Sequence, residues 1–334
     1  MTRLKKTLLG IGAGLAAAAL SMAHVPSDAH AAEAKVAFVP QIQGIPYYVS
    51  MENGAKAAAE KFGVTYVQQG PTTTSAADQL RIFESFVNQG FDVIGVSPND
   101  IETLKPAIAK ATAQGVKVIT SDADAPGTER LLFVAQALDQ DLGYTVMDEL
   151  VKRIGEEGKV AIVSDSPTIQ SLNNWIAAIK ERAATKYPKI EIVSVDHTDG
   201  TAAKAYQYAT DAMTKHPDLK AIVGIASTTC PGVAQAVEAA DKIGQVITTG
   251  YCAPNTARQY VKSGAMPFTV LWSPYDLGYL TVWAAKQLID GKSLQDTNEV
   301  PGLSSPATYM ADQKLLLLGP PFVFTSENVD KFDF

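Results

Sequence analysis

Short apolar runs alternate along this chain with longer segments in which alanine and other apolar residues recur every third or fourth position. The first run, Val36 to Val39, is apolar throughout, as suits a strand covered on both faces. A loop with Gln41, Gln43, Gly44, Tyr47 and Tyr48 follows, then Met51, Ala55, Ala58 and Ala59 at helical spacing, ending before Gly63. The unit recurs. Further strands are predicted at 65–67, 93–96, 116–120 and 131–134, and a second series at 160–163, 190–195, 221–225, 246–249 and 268–271. Helices are predicted near 47–62, 75–89, 101–114, 140–157, 170–186, 202–215, 232–242, 255–263 and 276–290. Such interleaving predicts an α/β fold with parallel sheets flanked by helices, and two series of strands predict two sheets, hence two lobes.

The amino-terminal segment breaks the pattern. Arg3, Lys5 and Lys6 precede the apolar or small-residue run from Leu8 to Leu20, and Ala29-His30-Ala31 has the A-x-A form of a cleavage site. Residues 1–31 therefore read as a secretory signal peptide, too short for a membrane span. Its removal takes the net charge from −7 to −9, through loss of Arg3, Lys5, Lys6 and Asp28. An acidic chain without clustered Lys and Arg excludes nucleic-acid binding. Two cysteines remain, Cys230 and Cys252. Export permits a disulfide between them, and their spacing alone leaves the question open.

The strand ends carry the candidate chemistry. Small polar residues follow the predicted strands in VSPND (96–100), TSDADAPG (120–127), SDSPT (164–168), ASTTCPG (226–232) and TGYCAPN (249–255). Ligands of open parallel sheets bind beyond the carboxyl ends of the strands. The plainer reading is that Thr168, Ser227 and Asn255 cap helices. Asp122, Asp124 and Cys252, directly at strand ends, are harder to explain that way.

Catalytic constellations are missing. Only His197 and His216 remain beyond the signal peptide, neither near a strand end, so a Ser-His-Asp triad or a histidine metal site is hard to build. The chain has no phosphate-binding glycine loop and no nucleophile elbow. Asp122 and Asp124 resemble an acid/base pair, but residues two apart beyond a strand end are not expected to flank one bond. One in the cleft and one in a structural role is the expected division. Gln41, Tyr47, Tyr48, Asp122, Asn174 and Trp272 instead suit a neutral polyhydroxylated ligand. The carboxylate accepts from hydroxyls, the amides donate and accept, and the rings cover C–H faces. Helix-start packing for the tyrosines and core burial for Trp272 are the competing structural readings.

Taken together, AFVPQIQG (37–44), ENGAKAAAEKFGV (52–64), QGPT (69–72), FVNQGFDVIGVS (86–97), GVKVITSDAD (115–124), VSDSPT (163–168), APN (253–255) and FTSENVDKFDF (324–334) resemble the ribose-type periplasmic binding proteins of ABC importers. The subgroup with autoinducer-2-binding and some rhamnose-binding proteins is the most similar. The resemblance covers the chain beyond the signal peptide. It implies a type I periplasmic binding protein: two Rossmann-like lobes joined by a three-strand hinge, with crossings near 136–138, 272–273 and within 300–322. The lobes would comprise 34–137 with 273–318, and 138–272 with 319–334. It also implies a monomer without cofactor in the periplasm, closing on a sugar or polyol and docking on an inner-membrane permease. The expected binding residues are Gln41, Tyr47, Tyr48, Asp122, Asp124, Ser171, Asn173, Asn174, Ser227, Cys252 and Trp272, with no catalytic residue and no metal.

Autoinducer-2 receptors carry Lys, Asp, Asp and Gln at positions matching Gln41, Asp122, Ser171 and Leu172, and Pro and Ala where Ile225 and Ser227 stand. Only Asp122 is kept, and losing those charged or buried hydrogen bonds costs about 1–3 kcal/mol each. Cys252 falls where the ribose-type family usually has an aspartate, and Asn174 falls near a sugar-binding arginine. The expected ligand is thus an uncharged pentose, deoxyhexose or sugar alcohol. An autoinducer-2 or chemosensory receptor is the alternative, and a periplasmic sugar-acting enzyme using Asp122 and Asp124 the more distant one.

Overall fold

The computed structural model describes Met1, Thr2 and residues 34–334, so the body of the expected signal peptide lies outside the described residues. The first series of elements is β1 (Lys35–Val39), α1 (Pro46–Phe62), β2 (Thr65–Gln68), α2 (Ala76–Asn88), β3 (Val93–Val96), α3 (Ile101–Ala113), β4 (Lys117–Ser121) and β5 (Leu132–Ala135). Its five strands pair in parallel in the order β5-β4-β3-β1-β2. The inner strands are apolar towards both sides, whereas β2, at the sheet edge, reads Thr-Tyr-Val-Gln and is only partly buried. Val36 and Phe38 pack with Met51 and Ala55 of α1, whereas Ala37 and Val39 pack with Phe83 of α2 and Leu104 of α3. A period of two over an all-apolar run is what places helices on both faces.

The second series is α4 (Asp139–Ile154), β6 (Glu157–Ser164), α5 (Gln170–Lys186), β7 (Lys189–His197), α6 (Ala202–Lys215), β8 (Leu219–Gly224), α7 (Cys230–Ala239), β9 (Ile247–Gly250), α8 (Pro254–Ser263) and β10 (Phe268–Leu271). β6 to β9 form a parallel sheet in the order β7-β6-β8-β9. The same alternation holds: Val160 and Ile162 face Leu142 and Ile179, while Ala161 and Val163 face Ala205 and Val233. The helix expected over 140–157 ends at Ile154, because Gly155 takes φ +84° and β6 has begun by Glu157. The expected fifth strand, β10, is not in this sheet. It pairs antiparallel with β14 (Phe322–Thr325), a two-stranded sheet of its own.

Between them run α9 (Pro274–Ile289), capped by the Ser273 hydroxyl accepting from Asp276 N at 3.1 Å, and three short strands: β11 (Thr297–Asn298), β12 (Ala307–Met310) and β13 (Leu315–Leu317). These extend the first sheet beyond β5, giving eight strands in the order β11-β12-β13-β5-β4-β3-β1-β2. The stretch 300–322, expected as a crossing, is thus mostly sheet edge; the chain leaves the first sheet after Leu317 and enters β14 at Phe322. The described residues thus form two α/β lobes, each built on a sheet of mainly parallel strands flanked by helices. The crossing segments run beside a continuous apolar core that joins Phe38 and Tyr47 in one lobe to Trp175 and Tyr251 in the other. Among the described residues no helix is long and apolar enough to cross a membrane.

Candidate binding cleft

The strands of each series reverse their order once, between β1 and β3 among β1 to β5 and between β6 and β8 among β6 to β9. The crevice at such a switch point opens beyond the carboxyl ends of the strands. Here the two crevices face one another across a single cavity of about 60 Å³. A cavity needs roughly 10–15 Å³ to hold one water, so this one suits a solute of monosaccharide size or less. The first lobe contributes Gln41, Tyr47, Tyr48 and Asp122, and the second Asp165, Ser171, Trp175, Ser227 and Tyr251, with Trp272 at the crossing between them. The lobes also touch directly at its edge, where Thr168 Oγ1 donates to Asn99 O at 3.0 Å.

Asp122 is the fixed point of the first lobe. Its backbone turns into the left-handed region at φ +70°, which Asp tolerates better than most residues. Oδ1 accepts from Tyr47 Oη at 2.6 Å, and Oδ2 accepts from Tyr48 Oη at 2.7 Å and Ser97 Oγ at 2.8 Å. Burial raises the carboxyl above its ordinary value, and those three hydroxyl donations only partly counter it. Burial, reinforced by the negative Asp122, likewise holds both tyrosine hydroxyls well above their usual range, so they remain donors. Trp272 Nε1 donates to Tyr47 Oη at 3.0 Å. The rings form a continuous row, Tyr48, Tyr47, Trp272, Trp175 and Tyr251, edge-to-face up to Trp175 and tilted between Trp175 and Tyr251, with neighbouring centroids 4.8 to 5.9 Å apart.

The second lobe supplies a carboxylate that the sequence reading did not single out. Asp165, next after β6, is 3% exposed; it accepts from Ser166 N at 2.7 Å and Thr228 Oγ1 at 2.8 Å. Burial raises its carboxyl too, against those two donations. It lies in the quoted segment SDSPT, and its place at a strand end beside the switch point was the signal available. Among the described residues no Lys or Arg lines the cavity.

The expected residues divide. Gln41, Tyr47, Tyr48, Asp122, Ser171, Ser227 and Trp272 line one cavity. Asp124 does not: Thr120 Oγ1 donates to it at 2.7 Å, and Arg130 Nη2 at 2.7 Å, which leaves it in an adjoining cavity of about 350 Å³. Asn174 lines that second space, donating to Asp139 at 2.8 Å. Asn173 bonds the Pro167 carbonyl at 2.8 Å and lines neither. Cys252 is the plain correction. It is fully buried and bridged to Cys230, with Cα atoms 6.2 Å apart. Successive residues of an extended chain point to opposite sides, so Tyr251 meets the cavity while Cys252 enters the core under α7 and α8. Nor are the three suspected caps caps. Thr168 bonds across the cleft, Ser227 Oγ donates to Tyr251 O at 3.3 Å, and Asn255 Nδ2 donates to Asp333 at 3.1 Å. Among the described residues no cluster of His, Cys, Asp and Glu could hold a metal.

Two lobes closed over a small polar and aromatic cavity describe a binding site. Residues 36–293 match the model of the periplasmic binding protein domain family. The chain belongs to that family. As a periplasmic binding protein it is similar to the D-allose-binding periplasmic protein of Escherichia coli, 27% identical over 259 residues that cover 74% of this chain and 82% of that one. In structure it is similar to an ABC transporter solute-binding protein of Clostridium phytofermentas with bound L-rhamnose (TM-score 0.83, 26% identity, 90% of this chain and 98% of that one). It is equally similar to LsrB of Clostridium saccharobutylicum in complex with AI-2 (TM-score 0.83, 25% identity, 90% and 100%). The relatives and structural neighbours found are binding proteins rather than enzymes.

Proposed function

We propose that this chain is the periplasmic solute-binding component of an ABC importer and captures a small uncharged monosaccharide or sugar alcohol: a pentose, a deoxyhexose or a short polyol. The observation that carries this reading is the pairing of Asp122 and Asp165, one from each lobe, around a cavity walled by five aromatic rings, with no Lys or Arg among the described residues that line it. Carboxylates accept hydroxyl protons and repel anions, and the rings cover the C–H faces of a sugar. Uronic and aldonic acids are therefore poor ligands. Relatives named for D-allose, L-rhamnose and D-arabinose binding support the same class.

Ligand held by one lobe gains contacts to the other only on closure, so it shifts the population towards the closed form. The lobes are taken as 34–137 with 273–318 and 138–272 with 319–334. The closed monomer docks on an inner-membrane permease after a signal peptide has been removed near Ala31. The autoinducer-2 alternative is disfavoured by Gln41, Ser171 and Leu172, which supply neither the lysine nor the aspartate and amide that such receptors use. A chemosensory role would employ the same cleft.

A thermal-shift screen over D-ribose, D-allose, L-rhamnose, D-arabinose, erythritol, xylitol, autoinducer 2 and glucuronate tests the reading, with small-angle scattering on any ligand that responds. At least one neutral sugar or polyol should raise the melting temperature and reduce the radius of gyration, and glucuronate should do neither. No response to any neutral member, or a response to glucuronate alone, overturns it.

A further inference from the structure

The hydroxyl of Tyr251 has no hydrogen-bond partner among the described residues, although the residue is 1% exposed. Several other buried polar atoms share that condition, including those of Ser164, Thr198 and Thr249, but Tyr251 alone among them lines the cavity. The residue is held firmly. Its backbone N donates to Gly224 O at 3.1 Å, its carbonyl accepts from Ser227 Oγ at 3.3 Å, and its ring packs on Trp175 with centroids 4.8 Å apart. A rigid, buried, unpartnered hydroxyl is costly unless something else satisfies it. Tyr47 and Tyr48, in the same ring row, spend their hydroxyls on Asp122. Tyr251 keeps its own free.

Asp165 complements it. The carboxylate has about four acceptor directions, and the chain uses two, from Ser166 N and Thr228 Oγ1. Asp122 has three of its own occupied by hydroxyls. The unspent hydrogen-bonding capacity of the cavity therefore lies mainly on the second lobe, as one hydroxyl after β9 and one carboxylate after β6, at the ends of the two strands that flank β8.

We propose that Tyr251 and Asp165 are the specificity-determining pair of the second lobe. Tyr251 Oη donates to a hydroxyl or ring oxygen of the solute, and Asp165 accepts from one or two of its hydroxyls. Asp122 with its tyrosines and Ser97 serves chiefly as a preorganised wall with a single acceptor direction left. The inference rests on the reading of the cleft as a sugar or polyol site, and it locates the discriminating contacts at two residues outside the set read from sequence.

The test is calorimetric titration of the mature chain, Tyr251→Phe and Asp165→Asn with D-arabinose, L-rhamnose, D-ribose, D-allose, erythritol and xylitol, beside the unligated melting temperature of each. For whichever of these the wild type binds, Tyr251→Phe should weaken binding about 10- to 100-fold. Its unligated melting temperature should stay level or rise, since an unsatisfied hydroxyl has been removed. A merely structural tyrosine would move stability and leave affinity alone. Binding by Tyr251→Phe within twofold of wild type overturns the role of that residue, whatever its stability. Asp165→Asn should weaken binding at least about tenfold, and binding within twofold overturns its half of the pair. A wild-type chain that binds none of the six overturns the reading of the cleft and this inference with it. Retained wild-type binding with unaffected variants overturns the inference alone.

Discussion

Trp272 Nε1 donates to Tyr47 Oη at 3.0 Å across 225 positions of sequence, and that hydroxyl donates in turn to Asp122 Oδ1 at 2.6 Å. The indole stands where β10 ends and the chain returns to the first lobe, so a residue of the crossing fixes the hydrogen of a residue in the cleft. With the indole donating to it, Tyr47 Oη has its own proton free for the carboxylate. Trp272→Phe keeps the ring and removes the donor. It should lower unfolding free energy by about 1 kcal/mol, the typical net worth of one hydrogen bond. It should weaken sugar binding by roughly fivefold. Urea unfolding and titration read the two effects separately, and unchanged affinity would show that the relay does not orient the site.

Asp122 gives the cleft a pH dependence whose sign follows from burial. Its folded pKa lies above the ordinary 3.8, chiefly through desolvation. Between the unfolded and folded values the native state holds more protons than the unfolded one, so its contribution to stability falls as pH rises through that window. Below the unfolded value the destabilisation is absent; above the folded value it is complete. Ligand hydroxyls donate to the ionised form, so affinity runs the other way and weakens as pH falls through the folded value. Relative to Asp122→Asn, the unligated wild type should gain melting temperature as pH is lowered from 7 towards 4, while its ligand-induced shift shrinks. A ligand-induced shift that is flat with pH in the wild type would mean that this carboxylate is not met by donors.

Asp148 behaves oppositely. The Arg182 guanidinium, with help from Tyr187 and Lys186, holds its carboxyl down at about 2 despite some burial. The Nε donation is 2.8 Å and the Nη2 donation 2.7 Å. Stabilisation from this pair is present above the unfolded 3.8 and is lost as pH falls through the folded value. The site is partly open to solvent, so the effect is screened. Asp148→Asn should therefore cost less than about 1 kcal/mol at pH 7 and nothing measurable at pH 2, provided the chain remains folded there. A cost at pH 7 that is absent in high salt confirms the electrostatic origin.

The order of strands and helices was readable because the two periods differ. Val36 and Phe38 face one layer, Ala37 and Val39 the other, and the run is too short to be a helix. Strands β11 to β13 were not readable. They are two to four residues long and become strands only by pairing on an edge that the rest of the fold provides. In the cleft, Asp122 was legible from its strand end and the tyrosines from their place after the first strand. Asp165 and Tyr251 sit at equally suitable strand ends, within quoted segments, but matching by family position favoured Ser171, Asn174 and Cys252 instead. The difference between Tyr251 and Cys252 is one residue of register. Which of two neighbours faces a cavity depends on the sheet's position, and a segment ending in small polar residues does not encode that locally.

Helices α1 and α9 cross with no side chain between them at two points. A Cβ on Gly54 would collide with the Tyr275 carbonyl, and one on Gly278 with the Met51 carbonyl. Neither backbone can yield without moving a helix that bears Tyr47 or follows Trp272. Gly278→Ala should lower unfolding free energy by about 1–3 kcal/mol or more and weaken ligand binding with it. Gly319→Ala, where a Cβ meets nothing within 4 Å, is the control and should stay within about 0.5 kcal/mol of wild type. Equal stabilities for the two variants in urea would show that the crossing can open to admit a methyl group.

The Cys230–Cys252 bridge closes a separation of 22 residues between the start of α7 and the turn after β9. Cross-linking a loop of this size restricts the unfolded chain by about 3 kcal/mol in the chain-entropy account. Cys230→Ser with Cys252→Ser should therefore reduce unfolding free energy by about 2–4 kcal/mol, and reduction of the wild type under native conditions should approach the same value. Neither sulfur lines the cavity, and Tyr251 is held independently by Gly224, Ser227 and Trp175. Below the shifted unfolding transition, affinity for a bound sugar should therefore remain within about twofold of wild type, a difference of roughly 0.4 kcal/mol. Titration of the double variant at 15 °C, beside a thiol count on the wild type before and after reduction, separates a staple from a ligand contact. A loss of affinity larger than the loss of folded fraction would return Cys252 to the binding site.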